Sequence, residues 1–478
     1  MEYEIVIGLE IHAELKTKTK IFCGCKNEFG EEPNTNCCPV CLGMPGAMPV
    51  LNQKALEYAI KAGLAMNCDI AEFSKFDRKN YFYPDTPKAY QISQYDLPLC
   101  HDGYIDIELE GTTKRIGIER IHLEEDAGKL IHDASGEGSL IDHNRSGVPL
   151  IEIVTRPDIR SPEEARTVFE SIKSILEYTD VSDCRMQEGS VRADVNLSVR
   201  PKGKGTFGVR TEMKNINSFR AVERACRAEA ERQTELLERG LEVVRETRRW
   251  DDLKGTSFPM RSKEEAMDYR FFPEPDLLPV VIDRSLIAEI KSSIPELPFD
   301  KRRRYTEQYG LPLYDAKLLT ESKKISEIFE TALEVCKNPK LVSNWIMTDL
   351  LRLVNEKGKS ILDTALNGRI FGRILLYFDR GEISQASART LMEVIAETGE
   401  EPDSVIDRLS LRVQRDENLV SGVVKTIIRD NPQAVSDYRA GKTKALGFLM
   451  GRTMAALKGN GDPEQVRSLL IKELDRTE

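Results

Sequence analysis

An acidic residue and a histidine lie close together in a segment near the start of the chain that has the pattern of a β-strand. In Glu4–Lys16 apolar residues occupy every second position, which is typical of a strand with one buried face. Glu10 and His12 therefore share the polar face, roughly 7 Å apart along the strand. Such a pair could bind a divalent metal or carry acid–base chemistry. The alternative is an exposed sheet face on which the two residues have no joint role.

Two further segments show the same alternation and also carry acids on their polar faces. Val191–Arg200 and Phe207–Lys214 are separated by a glycine-containing turn, which predicts an antiparallel hairpin. Asp194 lies on the polar face of the first segment, and Glu212 and Lys214 lie on that of the second. If the three polar faces coincide, the sheet presents carboxylates, a histidine and cations in one place. Carboxylate oxygens suit Mg²⁺ and cationic side chains suit phosphate, so the pattern indicates phosphoryl transfer.

A third acidic feature is the run of consecutive carboxylates Glu124, Glu125 and Asp126. It follows Arg115–Leu123, which is predicted to be a strand, and His122 lies beside it. Adjacent carboxylates repel one another unless a cation or basic groups neutralise them. The run is therefore a candidate for metal or substrate binding. The alternative is a turn in contact with solvent.

The chain has 10 cysteines, and half of them are clustered in a short, turn-rich segment. The pairs Cys23-x-Cys25 and Cys38-x-x-Cys41 can place four thiolates tetrahedrally around a structural zinc ion. Cys37 competes with Cys38 for the third position. Cys38 is preferred because it forms the regular pair with Cys41, and the choice between the two stays open. The alternative is a set of free thiols in a loop.

Cationic and aromatic residues alternate in the segment after the cysteine cluster. Such interleaving suits contacts with phosphates and stacked bases. A packed loop whose cations extend to solvent would have the same composition. The candidates for contact with substrate or nucleic acid in this segment are Lys75, Arg78, Lys79, Tyr81 and Tyr83.

Composition limits the class of protein. The chain has 478 residues, of which 40% are hydrophobic and 31% charged, as is typical of a soluble globular protein of about three domains. Its net charge of −10 argues against bulk, non-specific nucleic-acid binding but leaves room for a local basic patch. No secretory signal and no apolar run of membrane-spanning length is present, so we expect a cytoplasmic protein without a membrane partner.

Strand patterns dominate the first part of the chain and helical patterns the rest. Ser161–Tyr178 is expected to be a helix with Ser161 as its N-cap, and Ser218–Trp250 a long, charge-rich helix. The sequence of Ser292–Pro298 predicts a linker, and almost no segment after it has the pattern of a strand. A second shift in composition occurs at Gly399–Asp403. These features predict a division into three parts.

The chain resembles the B subunits of the bacterial aspartyl/glutamyl-tRNA amidotransferases over essentially its whole length. The C-terminal sequence G-K-T-K-A-L-G-F-L-M-G resembles the tail of that family. The other stretches that carry the resemblance are Val6–Leu15, Lys75–Tyr83, Glu124–Lys129, Asp142–Val154 and Tyr269–Leu278.

The resemblance implies an α+β fold in three parts. These would be a mixed, largely antiparallel β cradle domain with helices and the zinc knuckle (residues 1–292), an all-α helical domain (293–403) and a small α-helical tail domain that binds tRNA (404–478). It also implies the reaction of an ATP-dependent carbon–nitrogen ligase. The side-chain carboxylate of Glu-tRNA(Gln) or Asp-tRNA(Asn) is phosphorylated with ATP and Mg²⁺, and ammonia then displaces the phosphate.

The family also implies partners and site residues. An amidase-type glutaminase A subunit would supply the ammonia, a small C subunit would join A to B, and the non-discriminating aminoacyl-tRNA synthetase would be a further partner. The candidate catalytic residues are Glu10, His12, Glu124, Glu125, Asp194, Glu212 and Lys214, and the Mg²⁺ ligands among them are Glu10, His12, Glu125 and Glu212. Zinc is expected on Cys23, Cys25, Cys38 and Cys41, and Arg145 joins the candidates for tRNA contact.

A competing hypothesis is a non-catalytic, zinc-stabilised scaffold that binds tRNA within such a complex. It predicts no ATP turnover and tRNA binding that is insensitive to changes in the carboxylates. The sequence leaves open whether the Gln-tRNA or the Asn-tRNA product dominates.

Overall fold

The computed structural model describes residues 2–109, 111–132, 138–262, 269–357, 365–414, 416–457 and 459–476. The chain divides into two compact units, Met1–Lys301 and Arg302–Glu478. Within the described residues, none of the helices has both the length and the apolar character needed to cross a membrane.

The first unit is built around a twisted, mainly antiparallel sheet. Its described strands are β1 Tyr3–Glu14, β2 Asp69–Ile70, β3 Phe73–Ser74, β4 Asp77–Asn80, β5 Tyr90–Ser93, β6 Cys100–Leu109, β7 Thr112–Glu125, β8 Lys129–His132, β9 Ser139–Asp142, β10 Pro149–Thr155, β11 Val191–Pro201, β12 Thr211–Ile216, β13 Glu246–Asp251, β14 Thr256–Ser262, β15 Phe272–Pro273 and β16 Val280–Val281. The large sheet has the order β14-β13-β12-β11-β1-β10-β7-β6-β2, and only β12 and β13 pair in parallel. Strand β1, predicted from its alternation, lies near the middle of this sheet.

One face of the sheet is covered by helices. The helices of this unit are α1 Gln53–Ala65, α2 Pro162–Tyr178, α3 Phe219–Glu238 and α4 Arg284–Ser292. Ile7, Leu9 and Ile11 of β1 are almost fully buried in the core that these helices share with the sheet. The expected helix after Ser161 is confirmed, because the Ser161 side chain accepts a hydrogen bond from the Glu164 amide at the start of α2. Burial of the apolar face leaves the other face of β1 for polar residues.

The expectation of one helix over Ser218–Trp250 is wrong. Helix α3 ends at Glu238, and the chain then turns at Gly240, whose φ of 71° is in the left-handed region. Strand β13 follows, with Trp250 buried. The charged residues of this strand, among them the buried Arg248, gave the segment the composition of a solvent-exposed helix.

The predicted hairpin of β11 and β12 is confirmed as an antiparallel pair, with a difference in its bounds. Its second strand begins at Thr211 and not at Phe207. Phe207 and Val209 are exposed, so their alternation with polar residues does not reflect a buried face.

The regular elements described for the second unit are helices, joined by turns and loops. Helix α5, Pro298–Glu307, leads into it, and the following helices are α6 Leu313–Thr320, α7 Lys323–Cys336, α8 Pro339–Trp345, α9 Leu351–Lys357, α10 Gly368–Asp379, α11 Gln385–Thr398, α12 Pro402–Leu409, α13 Glu417–Asp430, α14 Pro432–Arg439, α15 Thr443–Ala456 and α16 Pro463–Leu474. The buried apolar residues form two clusters, one between Tyr305 and Leu411 and one between Val420 and Leu474. The fold class is therefore α+β, as predicted.

Candidate functional site

The side of the large sheet opposite the helices brings together polar residues from several strands. Pairing of β1 with β11 places Glu10 opposite Asp194, and pairing of β1 with β10 places His12 opposite Glu152. Glu152 is in turn opposite His122 of β7. The expectation that acids on separate strands share one side of the sheet is confirmed. We call this side of the sheet the polar face.

Three carboxylates meet on the polar face where β1, β11 and β12 are adjacent. Glu10, Asp194 and Glu212 each place one carboxylate oxygen within 4.8 Å of the others. Lys214 Nζ donates a 2.6 Å hydrogen bond to Asp194 Oδ2 and lies 3.2 Å from Glu212 Oε1. Burial opposes the charge of Lys214, but the two carboxylates outweigh burial and raise the lysine pKa. We call Glu10, Asp194 and Glu212 the carboxylate group.

The donors around the carboxylate group fit a hard divalent cation. Asn196 Nδ2 donates a 2.8 Å hydrogen bond to Glu10 Oε1, while Asn196 Oδ1 is buried and has no hydrogen-bond partner among the residues that the structure describes. Buried amide oxygens normally have a partner, so the Asn196 oxygen is available as a neutral ligand for a cation beside the three carboxylates. Carboxylate and amide oxygens are ligands that Mg²⁺ accepts, and a cation would also offset the repulsion within the group.

A second cluster lies next to the first on the polar face and contains His12, Glu124 and Glu152. His12 Nε2 is 3.3 Å from Glu152 Oε2 and 3.5 Å from Glu124 Oε1. His122 Nε2 lies 3.6 Å from Glu152 Oε2. The Nδ1 atoms of both histidines are buried, and within the described part of the chain neither has a hydrogen-bond partner. We call His12, Glu124 and Glu152 the histidine group. Its three ligand atoms lie within 4.8 Å of one another, so this group also fits a divalent cation.

The carboxylate of Glu152 and the imidazoles of His12 and His122 stabilise each other's charged forms. Burial raises the pKa of Glu152, but His122 and His12 outweigh burial and hold it well below the usual glutamate value. Burial lowers the pKa of His12, but the hydrogen bond and charge of Glu152 outweigh burial and raise it. The cluster therefore favours anionic carboxylates close to a histidine.

Glu152 is the site residue that sequence reasoning missed. It stands in β10, P-L-I-E-I-V-T, as the one charged residue among apolar neighbours. A lone charged residue in an apolar strand is visible in the sequence. Its place in the site, however, depends on the strand register, which puts Glu152 between His12 and His122. Strand register across a sheet cannot be read from the alternation of one strand.

Glu125 points away from both clusters, although it follows Glu124 directly. Its Oε1 accepts a 2.9 Å hydrogen bond from the Ile92 amide and pairs with the Lys88 ammonium. A cavity of about 210 Å³ is lined by both residues of this ion pair and by Cys41. The structure therefore places Glu125 beside a cavity and not among the side chains of the carboxylate and histidine groups.

Asp126 links the acidic run to two arginines. Arg192 Nη2 lies 3.3 Å from Asp126 Oδ1, and Arg145 Nε lies 3.4 Å from Asp126 Oδ2. Burial raises the pKa of Asp126, but the two guanidinium groups outweigh burial and lower it. Burial and the nearby Asp126 charge raise the pKa of Glu14, a neighbour of this cluster, to about 7.

The candidates for tRNA contact already have partners within the chain. Arg78 donates to both oxygens of Glu274, at 2.7 and 2.8 Å, and Lys75 donates to Asp77 at 2.5 Å. Arg145 donates 3.0 Å hydrogen bonds to two backbone carbonyls.

Among the remaining candidates, the Lys79 ammonium is 5.0 Å from the ring centroid of Tyr269, and the Tyr81 hydroxyl accepts a hydrogen bond from Thr86. Tyr83 is 49% exposed, which leaves its ring accessible to a ligand.

The cysteine loop brings four sulfur atoms together. Cys23, Cys25, Cys38 and Cys41 each place the sulfur within 4.8 Å of the other three. The Cys38 amide donates a 3.0 Å hydrogen bond to Cys41 Sγ, whereas the Cys37 thiol donates to the Asn34 carbonyl at 3.3 Å. Hydrogen bonding from the Cys23 thiol, with smaller help from the Lys20 charge, lowers the pKa of Cys41. Four convergent soft donors fit zinc in a closed, structural site.

The chain combines a large sheet, which carries two clusters of side chains that could hold metal ions, with a helical second unit. Known protein families identify the class of protein that has this arrangement. The family described as the GatB/GatE catalytic domain matches residues 5–288, and the family described as the GatB domain matches residues 327–474. Together these matches cover most of the chain, which therefore belongs to the GatB family of amidotransferase components.

Full-length relatives agree with the family assignment. The chain is 58% identical to the B subunit of the aspartyl/glutamyl-tRNA(Asn/Gln) amidotransferase of Caldicellulosiruptor bescii, over 100% of both chains. It is 54% identical to the protein of the same name from Thermoanaerobacter sp., again over 100% of both chains. The corresponding protein of Thermodesulfovibrio yellowstonii is 52% identical over 99% of this chain and 100% of the relative.

Proposed function

We propose that this chain phosphorylates and amidates the side-chain carboxylate of Glu-tRNA(Gln) or Asp-tRNA(Asn) with ATP, as the B subunit of a glutamine-hydrolysing amidotransferase. The observation that carries the proposal is the meeting of the carboxylate group and the histidine group on one polar face beside Lys214. Family membership supports the same reaction.

The carboxylate group and the histidine group would hold two divalent cations next to each other. Glu10, Asp194 and Glu212 form the first ligand set, with Asn196 Oδ1 as a neutral donor. His12, Glu124 and Glu152 form the second. Mg²⁺ bound there supplies positive charge that neutralises the phosphates of ATP and stabilises the transferring phosphoryl group.

The residues of the chain set the orientation of these groups before substrate arrives. Lys214 bridges Asp194 and Glu212, and Thr247 Oγ1 donates a 3.0 Å hydrogen bond to Glu212 Oε2. Such preorganised side chains lower the cost of rearrangement during the reaction. Lys214 would also place a positive charge close to the phosphoryl group during its transfer, which fits the predicted catalytic role of this lysine.

Glu125 has a different position and, we propose, a different role. Glu125 pairs with Lys88 and lines the cavity beside it. We propose that Glu125 contacts a small polar molecule such as ammonia in this cavity and does not bind Mg²⁺. The ammonia itself would come from the amidase-type A subunit, joined to this chain by the small C subunit. The synthetase that makes the misacylated tRNA would be a further partner.

The cysteine loop and the helical regions complete the proposal. Zn²⁺ on Cys23, Cys25, Cys38 and Cys41 would stabilise the loop and take no part in the chemistry, because four thiolates leave no open position. The tail domain, 404–478, would contact tRNA. In the cradle, Lys79 and Tyr83 are the residues best suited to contact the tRNA.

The experiment that tests the function uses the complete complex with Glu-tRNA(Gln), ATP and Mg²⁺. Glu10→Gln and Glu124→Gln should abolish ATP-dependent formation of Gln-tRNA(Gln), while glutamine hydrolysis and tRNA binding persist. A wild-type complex that binds the tRNA but neither consumes ATP nor amidates would favour the scaffold hypothesis. Full activity in either variant would remove that residue from the catalytic set.

A further inference from the structure

Lys20 is a fully buried lysine that lies against the cysteine cluster. Its exposed fraction is 0%. Lys20 Nζ donates a 2.8 Å hydrogen bond to the Asn36 carbonyl, lies 3.4 Å from the His143 carbonyl oxygen and is 3.8 Å from Cys41 Sγ. In the part of the chain that the structure describes, no carboxylate forms an ion pair with it.

Burial of a lone ammonium group has a large energetic cost. Removing such a charge from water is strongly unfavourable even after the protein relaxes, unless an opposite charge lies nearby. Carbonyl oxygens satisfy its hydrogen bonds but do not neutralise it. Among the three contacts of Lys20, only Cys41 can carry a negative charge, as a thiolate.

Four thiolates around one divalent cation also have an unbalanced charge. Four negative charges and two positive ones leave an excess of two negative charges. A thiolate cluster of this kind is stabilised by N–H groups and cations directed at its sulfur atoms. The loop supplies the Cys38 amide and the Lys20 ammonium, and both are directed at Cys41 Sγ.

We infer that Lys20 is the internal counter-charge of the four-cysteine site and strengthens its binding of zinc without being a ligand. This inference rests on the proposed zinc site. The excess negative charge of the zinc-loaded cluster stabilises the buried ammonium group of Lys20, and the ammonium group in turn offsets part of that negative charge.

Lys20 also connects the cysteine loop to the segment Asp142–Gly147. Its contact with the His143 carbonyl is accompanied by hydrogen bonds from the His143 amide to Asn34 Oδ1 and from the Asn36 amide to Asn144 Oδ1, both 2.8 Å. Arg145, which pairs with Asp126 near the polar face, belongs to the same segment. Binding of metal at the cysteines would therefore help to hold the segment that positions Arg145.

The test compares Lys20→Met with wild type in the complete complex. Methionine keeps an apolar stem of similar length but removes the charge. Lys26→Met is the matched control, because Lys26 belongs to the same loop but has a side chain that is 65% exposed and pairs with Glu28. Zinc content is measured by elemental analysis, and zinc affinity by competition with a chromogenic chelator.

We expect zinc affinity to fall about 10- to 100-fold in Lys20→Met, the range found for groups that support metal ligands, and to stay unchanged in Lys26→Met. Equal affinities of Lys20→Met and wild type, with zinc bound to both, would overturn the role of Lys20 and leave the zinc site intact. A wild-type protein that binds no zinc would overturn both proposals. An equal loss in Lys26→Met would also contradict the inference, because it would show an effect of net charge alone.

A second measurement on wild-type protein avoids any folding defect of the variant. Lysine acetylation by a small reagent is followed by mass spectrometry, before and after zinc is removed with a chelator. Lys20 should be protected in the zinc-loaded protein and become reactive after removal, while Lys26 reacts at the same rate in both. Reaction of Lys20 as fast as Lys26 in the loaded protein would contradict the inference.

Discussion

His12 and Glu152 face each other across the antiparallel pair β1 and β10, with Nε2 of the imidazole 3.3 Å from Oε2 of the carboxylate. The two residues are far apart in sequence and meet because the register of the sheet aligns them. His122 and Glu124 approach the same pair from β7. The side of the sheet opposite the helices thereby carries a concentrated set of candidate metal ligands.

The first prediction concerns Glu152, which lies between the two histidines. Glu152→Gln keeps the shape of the side chain but removes the charge that balances His12 and His122. We expect amidation of Glu-tRNA(Gln) to fall roughly 100-fold, because a preorganised charge at the site is lost. Glutamine hydrolysis should persist, since we propose that the A subunit carries it out.

The control for this change is Glu119→Gln, which removes an exposed carboxylate from the neighbouring strand β7. Amidation rates of both variants are measured under saturating ATP and Mg²⁺. If Glu152→Gln and Glu119→Gln were equally active, the histidine group would have no role in the reaction.

The arrangement of these residues shows how far the sequence could predict the site. Glu10, His12, Asp194 and Glu212 could be assigned to the polar faces of their own strands, because the alternation of each strand is local. Glu152 needed the register, and the burial of Lys20 needed the folded loop. The strand β13 was mistaken for helix because most of its residues are charged, as in an exposed helix. Local patterns therefore predicted the strands, whereas pairings across the chain required the structure.

The second prediction separates Cys38 from Cys37 as a zinc ligand. Cys38→Ser should lose zinc, because the Cys38 sulfur belongs to the group of four convergent sulfurs. Cys37→Ser should keep zinc, since the Cys37 thiol is directed at the Asn34 carbonyl. Zinc content of the purified complexes is measured by elemental analysis. The opposite pattern would show that Cys37 is the third ligand.

Removal of zinc should also lower stability. The cysteine loop contributes few apolar side chains to the core, so the metal is expected to supply much of its folding energy. Chelator-treated wild type and Cys38→Ser should show faster proteolysis within the loop than untreated Cys37→Ser. Equal rates of cleavage in all three samples would contradict a structural role for the metal.

The third prediction concerns a buried polar network behind the sheet, between α3 and β12. Glu229 accepts hydrogen bonds of 2.7 Å from Thr211 Oγ1, 2.8 Å from Gln233 Nε2 and 2.7 Å from Arg232 Nη2. Burial raises the pKa of Glu229, but these donors, led by Arg232, outweigh burial and lower it below the ordinary 4.5. The ionised side chain therefore stabilises the fold above about pH 4.5, and this contribution is lost as the pH falls through the folded-state pKa.

Glu229→Gln should destabilise the protein by about 1–3 kcal/mol at pH 7, the cost of impairing buried hydrogen bonds to a charge. The difference from wild type should shrink as the pH is lowered below 4.5. Midpoints of thermal unfolding are compared across this range, with the exposed Glu231→Gln as control. A difference that grows on acidification would contradict the assigned charge state.

The fourth prediction concerns the tail domain. Val405, Ile406 and Leu411 belong to the apolar cluster of the preceding helices, so a truncation should begin after Gln414 to leave that cluster intact. Removal of residues 415–478 should weaken tRNA binding while the cradle retains its zinc. Binding is measured by filter retention of labelled tRNA. An unchanged affinity would exclude the tail as a tRNA contact.

The most direct test of the central claim follows the oxygen atoms of the substrate. Glu-tRNA(Gln) with ¹⁸O in its side-chain carboxylate is incubated with the complex, ATP, Mg²⁺ and glutamine in unlabelled water. If the carboxylate is phosphorylated before ammonia attacks, one ¹⁸O is transferred to each inorganic phosphate released. Inorganic phosphate without ¹⁸O, in a reaction that still forms Gln-tRNA(Gln), would contradict the account.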